Sequence, residues 1–128
     1  MRHKRRGTGG QQKRGRRKGQ ARILHITCLL QLLRQDLHGY EILQGLNILQ
    51  SQDSSSMDPS IVYRIMREFE REGLVSSYEG DISKGPQRRM YTLSSTGREQ
   101  LKMWLQELLV MKKDIQCLLD MYAQAENN

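Results

Sequence analysis

Between Asp58 and Gly97 the chain spells out an order of elements that few folds accommodate. Asp58-Pro59-Ser60 opens a helix: Asp58, or Ser56 before it, offers a side-chain oxygen to the free first-turn amides, and Pro59 suits a first-turn position. Val62, Ile65, Met66 and Phe69 recur at helical spacing and form one apolar stripe. Glu72-Gly73-Leu74-Val75 ends the helix, with Gly73 at the left-handed position that closes many helices. Residues 75–80 and 89–93 contain Tyr, Val and Thr, flank Gly85-Pro86, and read as a two-stranded hairpin. Ser94-Ser95-Thr96-Gly97 then begins another helix. Helix, strand, basic loop, strand, helix is the order of a winged helix, which presents one helix to a DNA groove and sets a cationic hairpin beside it.

The upstream sequence supplies the supporting helices. Residues 21–35 read as a first helix, with Ile23, Ile26, Leu30 and Leu33 at helical spacing and Leu29 and Leu32 widening the stripe. Asp36-Leu37-His38-Gly39 breaks it. A second helix is predicted from about Gly39 to Leu49, burying Tyr40, Leu43 and Leu46. Residues 50–57 form a polar loop with three consecutive serines. The fold class expected is mainly α with a small β-hairpin: a winged helix-turn-helix followed by a long C-terminal dimerisation helix.

That last helix runs from Ser94 to about Tyr122 with no internal Pro or Gly after Gly97. Leu101, Trp104, Leu108, Met111, Ile115, Leu118 and Tyr122 follow alternating steps of three and four, a heptad seam. Leu105, Leu109 and Leu119 flank it, making the stripe too wide for one solvated helix. Such a helix spans about 42 Å, whereas a domain of about 100 residues has a radius of gyration near 13 Å. It must reach beyond its own body. Packing on the first helix accounts for part of the stripe, and self-association with two-fold symmetry for the rest. The chain thus divides into a basic arm over 1–20, a DNA-binding domain over 21–93, the dimerisation helix over 94–122 and a flexible tail over 123–128.

Charge is unevenly placed. The formal net charge is +7, but residues 1–20 hold 9 of the 21 Lys and Arg and none of the 14 acids. The remainder carries 12 bases against 14 acids, so a DNA-facing surface there must come from local clustering. The arm, with Gly at positions 7, 9, 10, 15 and 19, has nothing to bury. It is either a solvated extension or a non-specific nucleic-acid arm; nine phosphate contacts would steepen a log–log salt slope by about 8. No apolar run of about 18 residues exists to span a membrane, and the basic terminus lacks the apolar segment of a secretory signal. The expectation is therefore a cytoplasmic, nucleoid-associated protein with Cys28 and Cys117 as reduced thiols.

Within the winged helix, Ser60, Arg64 and Arg67 lie three or four apart, opposite the buried stripe, and Tyr63 lies beside them. They are the candidates for base and phosphate contact, although Arg64 and Arg67 could instead pair with Glu68, Glu70 or Glu72. Lys84, Arg88 and Arg89 are the basic cluster of the hairpin. Strand alternation sends Arg88 and Arg89 to opposite sides, so that one reaches DNA and the other a neighbouring acid. No constellation for catalysis stands out, no cofactor is implied, and Gly7-Thr8-Gly9-Gly10 lacks the flanking strand and helix of a phosphate loop. His25 and Cys28, one turn apart, have a spacing that could ligate a metal; core positions are the alternative.

The same residues resemble the PadR family of transcriptional regulators. The resemblance is carried by Leu37-His38-Gly39-Tyr40-Glu41-Ile42, by Val62-Tyr63 with Arg67, Phe69, Glu70 and Glu72-Gly73-Leu74-Val75, by Gly85 to Leu93, and by Thr96-Gly97. It covers about residues 22–122 and implies a homodimeric repressor that places two recognition helices in successive major grooves of an inverted-repeat operator. The single C-terminal helix is similar to that of the shorter subgroup, whose dimers enclose a hydrophobic cleft that in some members binds flat aromatic molecules. Carried onto this chain, the cleft falls on Leu101, Trp104, Leu108 and Met111, and the dimer contacts on Ile115, Leu118, Leu119 and Tyr122. Some ligand-binding members have a tryptophan where this chain has Leu108; Trp104 stands one turn earlier on the same side. Two other readings stay open: a metal- or redox-responsive winged-helix sensor, and a nucleic-acid-binding adaptor working through the basic arm.

Overall fold

The computed structural model describes residues 22–49, 57–81 and 88–128. Helix α1 (residues 22–31) is followed by the short strand β1 (Leu37–His38), then by α2 (Gly39–Gly45) and a 3₁₀ turn (Leu46–Ile48). Helix α3 (Pro59–Arg71), strands β2 (Val75–Glu79) and β3 (Arg89–Leu93), and helix α4 (Ser95–Asn127) complete the order. The hairpin is present, and a third strand joins it: the sheet is antiparallel with the order β1-β3-β2. Leu37 pairs with Tyr91 and His38 with Met90, while Val75 pairs with Leu93 and Glu79 with Arg89. The architecture is the winged helix with a long terminal helix.

Local chemistry explains α3. The Asp58 carboxylate accepts from the Ser60 amide at 3.0 Å, and Pro59 occupies the first turn. Val62, Ile65, Met66 and Phe69 are all buried. At the other end Gly73 adopts φ 77°. Its amide donates to the Glu70 carbonyl at 3.1 Å, and the Leu74 amide to the Phe69 carbonyl at 2.9 Å, which is the Schellman closure. This corner turns the chain directly into β2.

Helix α4 starts against the same corner. Ser94 Oγ accepts from the Gly97 amide at 2.9 Å, while the Ser94 hydroxyl lies 2.6 Å from the Gly73 carbonyl and the Ser94 amide donates to the Leu74 carbonyl at 3.0 Å. A Cβ at Gly97 would collide with the Leu74 carbonyl oxygen, so only glycine allows this approach. The root of α4 is thereby fixed to the end of α3 and the start of the hairpin.

One core joins all these elements: Ile26, Leu29 and Leu32 from α1 and the turn after it, Ile42, Leu43 and Leu46, the α3 stripe, Leu74, Val75 and Tyr91, and Leu101 and Trp104 from α4. Four expectations are corrected. Helix α1 ends at Gln31 rather than Gln35, in a tightened turn where the Leu32 and Leu33 amides donate to the Leu29 and Leu30 carbonyls. Leu29 and Leu32 carry its buried stripe, whereas Leu30 and Leu33 are exposed. Tyr40, expected inside, is 57% exposed. Helix α4 continues to Asn127, well past the expected boundary at Tyr122, so the segment placed there as a flexible tail is helical.

Candidate nucleic-acid interface

The outward face of α3 carries the four residues singled out from sequence. Ser60, Tyr63, Arg64 and Arg67 are all exposed. The Ser60 amide and hydroxyl both bond the Asp58 carboxylate, holding its pKa below the ordinary range. Ser60 is therefore committed to the helix cap as a donor and retains its oxygen as an acceptor. Tyr63 packs across Gly39 of α2: a Cβ on that glycine would collide with Cε1 of the Tyr63 ring. The ring is thus seated where α2 and α3 meet, 41% exposed.

Beside Tyr63 lies a groove of about 380 Å³ lined by His38, Gly39, Tyr40, Tyr63, Arg88 and Arg89. It runs from the β1–α2 junction across α3 to the start of β3. The two arginines have different surroundings, as strand alternation leads one to expect. The Arg89 Nε donates to Ser77 Oγ at 2.9 Å and its Nη2 lies 3.6 Å from the Glu70 carboxylate. Arg88 instead reaches towards His38, with Nη1 3.0 Å from Nε2 of the ring. Lys84, the third basic residue of the hairpin, lies outside the described residues.

Two contacts of the sheet were not foreseen. The Tyr78 hydroxyl donates to the Asp36 carboxylate at 2.6 Å, which raises the phenol pKa and ties β2 to the segment preceding β1. His38 caps α2: Nδ1 accepts from the Glu41 amide at 3.3 Å, and the His38 amide donates to Glu41 Oε1 at 3.1 Å. The sequence signature of such a reciprocal cap is Ser, Thr, Asp or Asn followed three positions later by Glu or Gln; with His38 in the cap position, only Glu41 carried part of that signal.

The residues assigned to the cleft and dimer seam fall into two groups. Leu101 and Trp104 lie in the protomer's own core, 3% and 9% exposed. The Arg22 guanidinium stacks over the Trp104 ring at 4.7 Å and pairs with Glu107 at 2.8 Å. His25 and Phe69 lie against the same indole, with ring centroids 6.2 and 6.3 Å away. Trp104 thus fastens α4 to α1 and α3 and, contrary to its placement in an effector cleft, is largely covered within one protomer. Leu108 is half-buried, and Met111, Ile115, Leu118, Leu119 and Tyr122 are exposed. Leu108, Met111 and Ile115 line a shallow apolar groove of about 490 Å³ with Ile23, Leu105 and Leu109.

Of His25 and Cys28, one turn apart on α1, Cys28 is buried and His25 is half-buried. Cys28 is fully buried, and burial pushes its thiol up to about 12. His25 stands edge-on to Phe69 at 5.3 Å, and burial lowers its pKa against the opposing pull of Glu68. Among the described residues no third His, Cys, Asp or Glu joins them to form a metal-ligand group. Cys28 belongs to the core, and His25 packs half-buried at its edge against Phe69 and Trp104.

Comparison with known proteins accords with this geometry. Residues 29–103 match the sequence profile of the Transcriptional regulator PadR-like family. An uncharacterized protein of Lysinibacillus sphaericus is 26% identical over 93 residues, covering 73% of this chain and 81% of its own length. The crystal structure of a PadR family transcription regulator from Clostridium difficile is similar, with a TM-score of 0.66 at 25% identity over 75% of this chain and 97% of that one. Bacillus subtilis PadR in complex with operator DNA shares the fold, with a TM-score of 0.55 at 24% identity over 65% of this chain and 46% of that one.

Proposed function

Because the chain belongs to the PadR-like family of transcriptional regulators, we propose that it is a homodimeric repressor that binds an inverted-repeat operator in double-stranded DNA through α3 and its hairpin. The observation that carries this reading is the division of α3 into two faces. Val62, Ile65, Met66 and Phe69 anchor one face in the core, while Tyr63, Arg64 and Arg67 stand exposed on the other, Tyr63 sharing a groove with Arg88. In such an arrangement the first turns of the helix meet base edges in the major groove. Tyr63 and Arg88 then serve phosphates, which fix the register without reading sequence. Arg89, already engaged by Glu70 and Ser77, chiefly holds the strand. Lys84 and the arm over residues 1–20 add sequence-independent attraction to the backbone.

Dimerisation is supported by the wide apolar surface of α4 beyond Leu108, which this protomer leaves uncovered. Two-fold symmetry then sets two α3 helices about one helical turn of DNA apart, roughly 34 Å. The apolar groove beside Ile23 and Leu108 suits a hydrophobic effector that alters the spacing of the two protomers. With Trp104 turned inward, aliphatic and thioether side chains would supply the contacts rather than an open indole face.

Selection of duplexes from a random pool at physiological salt tests the reading. A dyad-symmetric consensus is expected, and Arg64→Ala combined with Tyr63→Ala should abolish enrichment while leaving the circular dichroism spectrum unchanged. Equal retention of all sequences, dependent only on residues 1–20, would favour the adaptor reading instead.

A further inference from the structure

His38 occupies a position where three demands meet on one imidazole. Its Nδ1 accepts the Glu41 amide, closing the reciprocal cap of α2. Its Nε2 lies 3.2 Å from Glu41 Oε1 and 3.0 Å from Arg88 Nη1. A neutral imidazole has one lone pair and one N–H, so these contacts cannot all be hydrogen bonds. The cap decides between them. The Glu41 amide is a part-buried first-turn donor with no intrahelical acceptor, whereas the exposed guanidinium can turn its donors elsewhere. With the lone pair on Nδ1 spent, the proton sits on Nε2 and points to the Glu41 carboxylate. Arg88 then touches the ring but finds no acceptor there.

The neighbourhood leaves Arg88 in the same condition. Arg89, next in sequence, takes Glu70 and Ser77, and Arg88 forms no ion pair among the described residues. The antiparallel pairing of His38 with Met90 holds the ring close to the start of β3, so the apposition is built into the sheet. The groove that Arg88 faces is walled by Tyr40 and Tyr63, whose rings are both exposed. One cation with unspent donors between two phenols suits a single phosphodiester oxygen.

We infer that His38 is a positioning residue for DNA binding: by committing Nδ1 to the α2 cap it denies Arg88 an acceptor and keeps the guanidinium against the groove, ready for a backbone phosphate. The inference rests on the DNA-binding reading above.

The test uses the full chain, the selected duplex, and three substitutions. His38→Asn preserves the helix cap, since Asn is as good a capping residue, but removes the ring beside Arg88. His38→Asp also caps and in addition offers Arg88 a carboxylate. Arg88→Ala removes the cation. In a dimer each phosphate contact occurs twice, so Arg88→Ala should flatten the log–log salt slope by about 2. His38→Asn should flatten it in the same direction with an unchanged melting temperature, and His38→Asp should bind more weakly still. In an Arg88→Ala background, His38→Asn should have no further effect. Nitrogen-15 chemical shifts of the labelled His38 ring should report the Nε2–H tautomer. A wild-type chain that binds no duplex overturns both the function and this role. Duplex binding with additive His38 and Arg88 effects, an unchanged slope in His38→Asn, or an Nδ1–H tautomer overturns the His38 assignment alone.

Discussion

Truncating Ile115 and Leu118 to Ala together should dissociate the proposed dimer without touching the core of the single chain. These side chains are 53% and 65% exposed in the isolated protomer, so more than half of each remains to be covered by a partner. Full burial of such a side chain contributes about 1.5–3 kcal/mol, which leaves about 1–1.5 kcal/mol each for the interface. Two-fold symmetry places four of them there, giving about 4–6 kcal/mol in all, or about three to four powers of ten in the dimer Kd. Sedimentation equilibrium over a wide concentration range reads that change directly. Lys113→Ala, on the polar back of the helix, is the matched control and should leave Kd unaltered. Leu101→Ala is the contrasting case: at 3% exposure it should cost about 2–5 kcal/mol of folding stability. A wild-type chain that sediments as a single protomer at all concentrations refutes the reasoning. So does a double variant whose Kd moves by less than about tenfold.

Three further outcomes are expected. Gly39→Ala should displace the Tyr63 ring, because the added Cβ meets Cε1, and so weaken operator binding in a mobility-shift assay while the fold persists; unchanged affinity would show that the ring's seat is unimportant. His25 has its pKa lowered by burial below 6.5, so the unfolded chain binds the extra proton first; this site imposes no penalty above pH 6.5, and stability is lost as pH falls through the lower folded value. The melting temperature should therefore drop as pH falls below about 6.5, and His25→Gln should remove part of that slope; equal slopes in both proteins would contradict it. Cys117 should react with a maleimide in the native state while Cys28, buried and with its thiol pushed up to about 12, stays protected until denaturant is added; rapid labelling of both thiols would reopen the redox reading.

How much of the site was legible depends on the range of the interaction involved. The α3 face was legible because one helix carries both its anchors and its exposed residues at fixed spacing. Gly73 was legible because closure of a helix in the left-handed region is a local event. The inward turn of Trp104 was not, since the heptad steps place it on a seam without saying whether α1 or a second protomer covers that turn. Arg22, His25 and Phe69 cover it here, from two other helices. Likewise α1 carries two overlapping apolar stripes, and packing against α2 and α3 chose Leu29 and Leu32 over Leu30 and Leu33.

Periodicity, caps and turn residues were enough to determine the order of helices and strands, the anchored face of α3, the hairpin and the long α4, because each depends on neighbours within a few residues along the chain. Tertiary structure alone decided the third strand, the tether of Tyr78 to Asp36 and the apposition of Arg88 to His38. Those partners lie tens of residues apart, and a two-residue strand such as Leu37–His38 has no period of its own. It exists because β3 presents it with hydrogen-bonding groups that must be satisfied.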